Sequence, residues 1–165
     1  MTVPSASGRP ARSAMERCAG LFATWFGVGL SPRAPGTMGA LAALPLHWLL
    51  IRYGNVGVET AVVVLICCLG IIASQSVARQ QANSDPQIIV VDEVAGVLIP
   101  LLVAGGSASA QLVAFLAFRG LDILKPWPIA RLEHIPHAGV AVMADDIAAG
   151  LVAAGLVWAW LRIAA

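Results

Sequence analysis

Apolar runs separated by short polar breaks divide the chain. They are Met15 to Leu30, Met38 to about Ile51, Val56 to Ala73 with a polar continuation to about Ala82, Ile88 to Ala104, Ala108 to Phe118, and Ile147 to Leu161. The breaks are SPRAPGTMG, RYGN, NSDPQ, Gly105-Gly106 and FRGLDILKPWP, all rich in turn formers. In stretches such as IIVV the period does not separate helix from strand. A membrane setting does, because open strands would leave backbone groups unpaired in lipid. The pattern therefore predicts an all-α, multi-helix bundle, membrane-embedded, with about four to five short transmembrane or re-entrant helices. The runs are short against the ~20 residues that a span needs, so a soluble bundle with a very apolar core stays open.

Composition supports the membrane reading. The chain is 59% hydrophobic and 12% charged, with a mean hydropathy of +0.83, where soluble domains carry about 25% charged residues. Residues 1–14, rich in Ser, Pro, Gly and Arg, read as a disordered tail, and 15–165 as a single helical domain. Met15 to Leu30 lacks a convincing small-residue cleavage site, which disfavours a signal peptide; an amphipathic or partly inserted helix, with Trp25 and Phe26 near the interface, fits better. A formal charge of +1 and a single tyrosine, Tyr53, argue against nucleic acid. Cys18, Cys67 and Cys68 show no metal or disulfide spacing.

If each run crosses once, SPRAPGTMG, NSDPQ and the stretch from FRGLDILKPWP to MADD share one side, and RYGN and Gly105-Gly106 face the other. Arg33, Arg79, Arg119, Lys125 and Arg131 fall on the first side, with Arg9, Arg12 and Arg17 if the first run does not cross. Arg52 and Arg162 fall on the second. The excess of positive charge makes the first side cytoplasmic.

The candidate chemistry lies on that side. Asp92 and Glu93 are adjacent in an apolar run, so they must be paired, bound to a cation or neutralised. Metal ligation is favoured over an arginine pair or a proton relay, and Gly96 on the same face admits a neighbouring helix closely. Asp145 and Asp146 are expected to open the last helix, where an acidic cap is the plain reading; beside Asp92 and Glu93, metal ligation is favoured. In FRGLDILKPWP, Arg119 and Asp122 share a helix face. Lys125, before Pro126, is expected to be extended, and Trp127 suits the headgroup interface. The plain reading is a salt-bridged helix end with an aromatic belt residue; Asp122 joining the metal site, with Arg119 and Lys125 on phosphate oxygens, is favoured over it. In SPRAPGTMG, Thr37 could cap the next helix, and its backbone amides, with Ser31 and Arg33, could approach a phosphate; a plain entry loop is an equal alternative. Asp85 could cap a turn or edge the site. His134 and His137 read as surface residues, His47 as a satisfied polar residue near an interface, and Glu59 as lying just inside a helix start.

The segments GLSPRAPGTMGALAALPL, SDPQIIVVDEVAG, FRGLDILKPWP and MADDIAAG resemble the signature blocks of the phosphatidylglycerophosphatase A family, in the same order, from about residue 27 to residue 155. The resemblance implies a bacterial inner-membrane enzyme with its site on the cytoplasmic side. It would remove the terminal phosphate of phosphatidylglycerophosphate to give phosphatidylglycerol, using Mg²⁺. Asp92, Glu93, Asp122, Asp145 and Asp146 would be its acidic catalytic and metal residues, with Arg119 and Lys125 as phosphate binders. An oxygen-rich site suits Mg²⁺, and metal-assisted attack by water, with Glu93 as a candidate base, is the expected mechanism. No cysteine stands in a phosphate loop, and no histidine falls in a motif block; an aspartate nucleophile stays open. The competing classes are a cation transporter or channel using Asp92 and Glu93 and a non-enzymatic membrane subunit.

Overall fold

The computed structural model describes residues 13–83 and 86–164. The helices in chain order are α1 (Ala14–Ala23), α2 (Pro35–Tyr53), α3 (Val56–Gln81), α4 (Val91–Ala104), α5 (Ala108–Leu124) and α6 (Ala138–Ile163), with 3₁₀ turns at Val28–Leu30 and Ile129–His134. Among the described residues all regular structure is helical, as the sequence predicts. Residues 1–12 of the expected tail and Asp85 lie outside the described residues. Ser13, counted with that tail, caps α1. Its hydroxyl accepts from the Glu16 N–H at 3.1 Å, and the Glu16 carboxylate accepts from the Ser13 N–H at 2.7 Å, a reciprocal pairing that satisfies two orphan donors.

Several boundaries differ from the sequence expectation, and the differences matter for the site. α2 begins at Pro35, whose ring is pre-shaped for the first helical position, so Thr37 lies within the first turn rather than at the cap. α4 begins at Val91, which puts Asp92 and Glu93 in its first turn. Ile88 to Val90 are non-helical: the Ile89 N–H closes a turn on the Pro86 carbonyl at 2.9 Å, and the Val90 N–H donates to the Ala23 carbonyl, also at 2.9 Å. Lys125 is not extended. It takes a left-handed conformation, φ 40 and ψ 59, which departs from the extended preference of a pre-proline residue and keeps its N–H on the Leu121 carbonyl at 2.8 Å as a helix C-cap. α6 begins at Ala138, so Asp145 and Asp146 lie two turns inside it and are not capping residues. That earlier start is held from outside the segment: the Gly139 N–H donates to Gln75 Oε1 of α3 at 2.9 Å.

α4 is the central helix. Val91, Val94, Ala95, Val97, Leu98 and Leu101 are all buried, and α2, α3, α5 and α6 pack around them. The outer helices turn apolar side chains outward: Val64 and Ile72 on α3, Leu112 and Leu116 on α5, Leu151 and Trp158 on α6. An outer surface of this kind suits lipid better than water. Two helices, α3 and α6, each of 26 residues, are long and apolar enough to cross a membrane; at 1.5 Å per residue such a helix reaches ~39 Å. α4, with 14 residues, is shorter than a span. The expected four to five spans are thus met for two.

α4 and α6 cross closely at Gly96 and Gly150. A Cβ on Gly150 would press on the Gly96 carbonyl oxygen, 3.1 Å from its carbon and 3.3 Å from its Cα. A Cβ on Gly96 would meet the Phe118 ring and, at 2.9 Å, the Asp146 carbonyl oxygen. The Gly96 expectation is met, and its partner is a second glycine.

The far end of the bundle holds a separate buried polar pair. His47 Nδ1 of α2 lies 2.5 Å from Glu59 Oε1 of α3, and His47 Nε2 lies 3.2 Å from the Gly105 carbonyl at the end of α4. The same carbonyl accepts from Gln111 Nε2 at 2.7 Å. This network ties two interhelical turns together and satisfies the buried groups.

Candidate active site

At the opposite end, where α2 and α4 begin and α5 ends, a cavity of about 500 Å³ opens. Its lining includes Thr37 of α2, Asp92 and Glu93 of α4, Arg119 and Asp122 of α5, Lys125 after α5, and Asp145 and Asp146 of α6. Residues from four helices, up to 109 positions apart in sequence between Thr37 and Asp146, thus meet in one place. The Gly96–Gly150 crossing explains part of this. Asp92 is one turn before Gly96 and Asp146 one turn before Gly150, so the tightest approach of α4 and α6 brings those two carboxylate-bearing turns together.

Asp92, Glu93 and Asp146 each offer a carboxylate oxygen, and these lie within 4.8 Å of one another. Asp92 Oδ1 accepts from the Glu93 N–H at 3.1 Å, a first-turn contact that fixes the Asp92 rotamer. Glu93 Oε2 and Asp146 Oδ2 are buried and accept no hydrogen bond. Three carboxylates this close and this buried repel one another, and none can hold full charge cheaply without a cation among them.

The other two acids are engaged by bases. Arg119 Nη1 donates to Asp122 Oδ2, three residues along the same helix, and sits 4.0 Å from Glu93 Oε1. Lys125 Nζ donates to Asp145 Oδ2 at 2.6 Å, joining the end of α5 to α6. The site therefore has an acidic cluster with two cationic arms beside it.

α2 closes over this pair of charges. A Cβ at Gly36 would collide with the Glu93 carboxylate and lie 3.3 Å from Arg119 Nη1, so a larger residue there would displace those two side chains from their present positions. Gly36 and Gln87, which also lines the cavity, both fall inside the signature blocks, but neither is singled out in the sequence as a site residue. Ser31 and Arg33 do not line the cavity: the Ser31 hydroxyl donates to the Arg33 carbonyl at 3.0 Å, and Arg33 is exposed. Of the polar residues expected from SPRAPGTMG, only Thr37 reaches the site.

Comparison with known proteins agrees with the geometry. The family model described as phosphatidylglycerophosphatase A matches residues 21–161. The chain is 39% identical over 139 residues to the phosphatidylglycerophosphatase A of Escherichia coli, covering 84% of this chain and 80% of that one. It is 38% identical over 141 residues to the phosphatidylglycerophosphatase A of Haemophilus influenzae, covering 84% and 86%. It is also 39% identical over 138 residues to a Bacteroides thetaiotaomicron protein provisionally named a phosphatidylinositol-3-phosphatase, covering 79% and 86%. No solved structure matches the chain significantly. The matched span runs from the end of α1 almost to the end of α6 and takes in every residue of the cavity, and on it the chain belongs to the phosphatidylglycerophosphatase A family.

Proposed function

We propose that the protein dephosphorylates phosphatidylglycerophosphate to phosphatidylglycerol in a bacterial inner membrane, with the site on the cytoplasmic side and Mg²⁺ as its cofactor. The observation that carries this reading is the single cavity in which Asp92, Glu93 and Asp146 cluster within 4.8 Å while Arg119 and Lys125 lie alongside. A phosphomonoester needs both: cations for its oxygens and a negative pocket for a divalent ion.

The donor set fits Mg²⁺. It is all oxygen, and two buried carboxylate oxygens, on Glu93 and Asp146, have no hydrogen-bond partner. Asp92, Glu93 and Asp146 would hold the ion, with Asp122 and Asp145 beside them. When bound, it supplies charge neutralisation and Lewis acidity at the phosphoryl group. Arg119 and Lys125 bind the phosphate oxygens, each loosening from its carboxylate as the substrate enters. Glu93, under the first turn of α2, takes the proton of the attacking water. The excess of Arg and Lys at this end supports the cytoplasmic placement.

The transport reading is not favoured. The Asp92 and Gly105 ends of α4 are ~20 Å apart along the helix, and Val94, Val97, Leu98 and Leu101 fill the intervening core. The carboxylates form a pocket at one end, not a path.

The test is phosphate release from phosphatidylglycerophosphate in detergent micelles, with Mg²⁺ or EDTA, for wild type and Asp92→Asn. Release that needs Mg²⁺ and is lost in the variant is the expected result. A folded wild type that releases nothing from this lipid but does so from phosphatidylinositol 3-phosphate moves the headgroup assignment. Release that survives EDTA and the substitution removes the metal site.

A further inference from the structure

The phosphate-binding cations sit on a turn whose outer side is bare and apolar. Ile123 lines the cavity and is 69% exposed; Leu124 and Trp127 continue the same edge at 80% and 72% exposed. Lys125, between them, points its ammonium to Asp145 inside the site. Arg131 lies with its guanidinium 5.4 Å from the centre of the Trp127 ring, placing a positive charge on the rim. An aromatic ring bearing a cation is suited to the headgroup layer of an anionic bilayer. Among the described residues, no other stretch of the chain covers this edge.

On the lipid-phosphatase reading above, we propose that the end of α5 and the Lys125–Pro128 turn form a lateral entrance, occupied by the glycerol backbone and acyl chains of the substrate itself. The tether argues for it. A phosphoryl group held at Arg119 and Lys125 is joined to its acyl chains only through the headgroup, so the chains must leave the cavity near that clamp. Ile123 is continuous with both: it forms part of the cavity wall and part of the outer surface. Other exposed apolar residues, such as Val64 on α3 and Leu156 on α6, do not line the cavity. The lipid's chains thus stay in the bilayer while its phosphate passes Ile123 to the cations. Ile123 and Trp127 act as specificity residues that distinguish a lipid phosphate from a water-soluble one.

The experiment compares a diacyl substrate, phosphatidylglycerophosphate in micelles, with glycerol 1-phosphate, a phosphomonoester without chains. Ile123→Gln should raise KM for the diacyl substrate about tenfold relative to its effect on glycerol 1-phosphate, the loss expected when part of an apolar contact is forfeited. Trp127→Ala should act in the same direction. Leu112→Gln, at an exposed α5 position far from the cavity, should leave the ratio as in wild type. An equal change for both substrates, or none, overturns the entrance.

A second measurement does not depend on turnover. A diacyl lipid phosphomonoester with a diazirine high on one acyl chain should label the 119–131 segment in preference to the outer faces of α3 and α6, and excess unlabelled lipid phosphate should suppress that labelling. Labelling spread evenly over the apolar surface overturns the proposal even in an active enzyme. Labelling at 119–131 without phosphate release keeps the entrance and removes the phosphatase reading.

Discussion

Gly150→Ala tests whether the α4–α6 crossing positions the acidic cluster. The added Cβ would press on the backbone of Gly96: its carbonyl oxygen, with the carbon at 3.1 Å and Cα at 3.3 Å. These are main-chain atoms of a buried helix, so no flexible side chain can yield. Restoring ordinary van der Waals separation requires α4 and α6 to part by about 1 Å. Overpacking of this kind costs about 1–3 kcal/mol. The functional cost should be larger in proportion, because Asp92 and Asp146 sit one turn from the crossing, on the two helices being separated. A misplacement near 1 Å can lower turnover by about 100-fold. The assay is Mg²⁺ titration of phosphate release together with thermal unfolding in micelles. The expected result is a modest fall in the unfolding midpoint and a large fall in kcat, with the Mg²⁺ requirement shifted to higher concentration. Gly155→Ala is the control, since a Cβ there meets nothing within 4 Å; it should be neutral or slightly stabilising. If Gly150→Ala retains wild-type turnover and Mg²⁺ dependence, the crossing does not set the site geometry and the argument from these glycines is wrong.

Two further outcomes separate stability from function. Asp146→Asn removes a buried charge from the acidic cluster, so the variant in EDTA should unfold at or above the wild-type temperature. It should lose most of the stabilisation that Mg²⁺ gives wild type, which for a single site at 100 times Kd is about 2.7 kcal/mol; equal Mg²⁺ stabilisation of the two proteins would exclude Asp146 as a ligand. Glu59→Ala, at the far end of the bundle, leaves His47 buried without its carboxylate and should cost about 3 kcal/mol. Its kcat at a temperature where it is folded should match wild type, and a loss of turnover there would mean that the two ends of α4 are coupled.

The sequence disclosed those parts of the site whose spacing is local. Asp92, Glu93 and Gly96 lie within two turns of one helix, and Arg119 and Asp122 are three residues apart, so helical geometry alone places each set on a face. The start of α6 was misread for a physical reason. AGVAVMA carries no capping side chain, and His137 makes no side-chain cap bond; the turn is fixed by Gln75, more than sixty positions earlier on α3. From sequence these two turns read as a lead-in, which puts Asp145 and Asp146 at the start of the helix instead of two turns inside it. The His47–Glu59 pair was hidden in the same way. Each residue alone looks like a polar group near a helix end, and only the packing of α2 against α3 makes them partners.

Helix ends explain why the cluster asks for a cation at one residue above the others. Asp92 and Glu93 occupy the first turn of α4, where the positive end of the helix dipole favours acids. Lys125 caps the end of α5, where the negative end favours a base, and Arg119, further from that end, is paired with Asp122 instead. Asp145 lies in mid-helix but has the Lys125 ammonium at 2.6 Å. Asp146 lies in mid-helix too, without a terminal dipole to favour it, and its Oδ2 is buried with no hydrogen bond. It is nevertheless held against Asp92 and Glu93 by the close glycine crossing of α4 and α6. A chain selected for stability alone would place an apolar residue there. The fold instead drives a carboxylate into the acidic cluster at its least compensated position, and a divalent cation turns that repulsion into a reason for α4 and α6 to stay together.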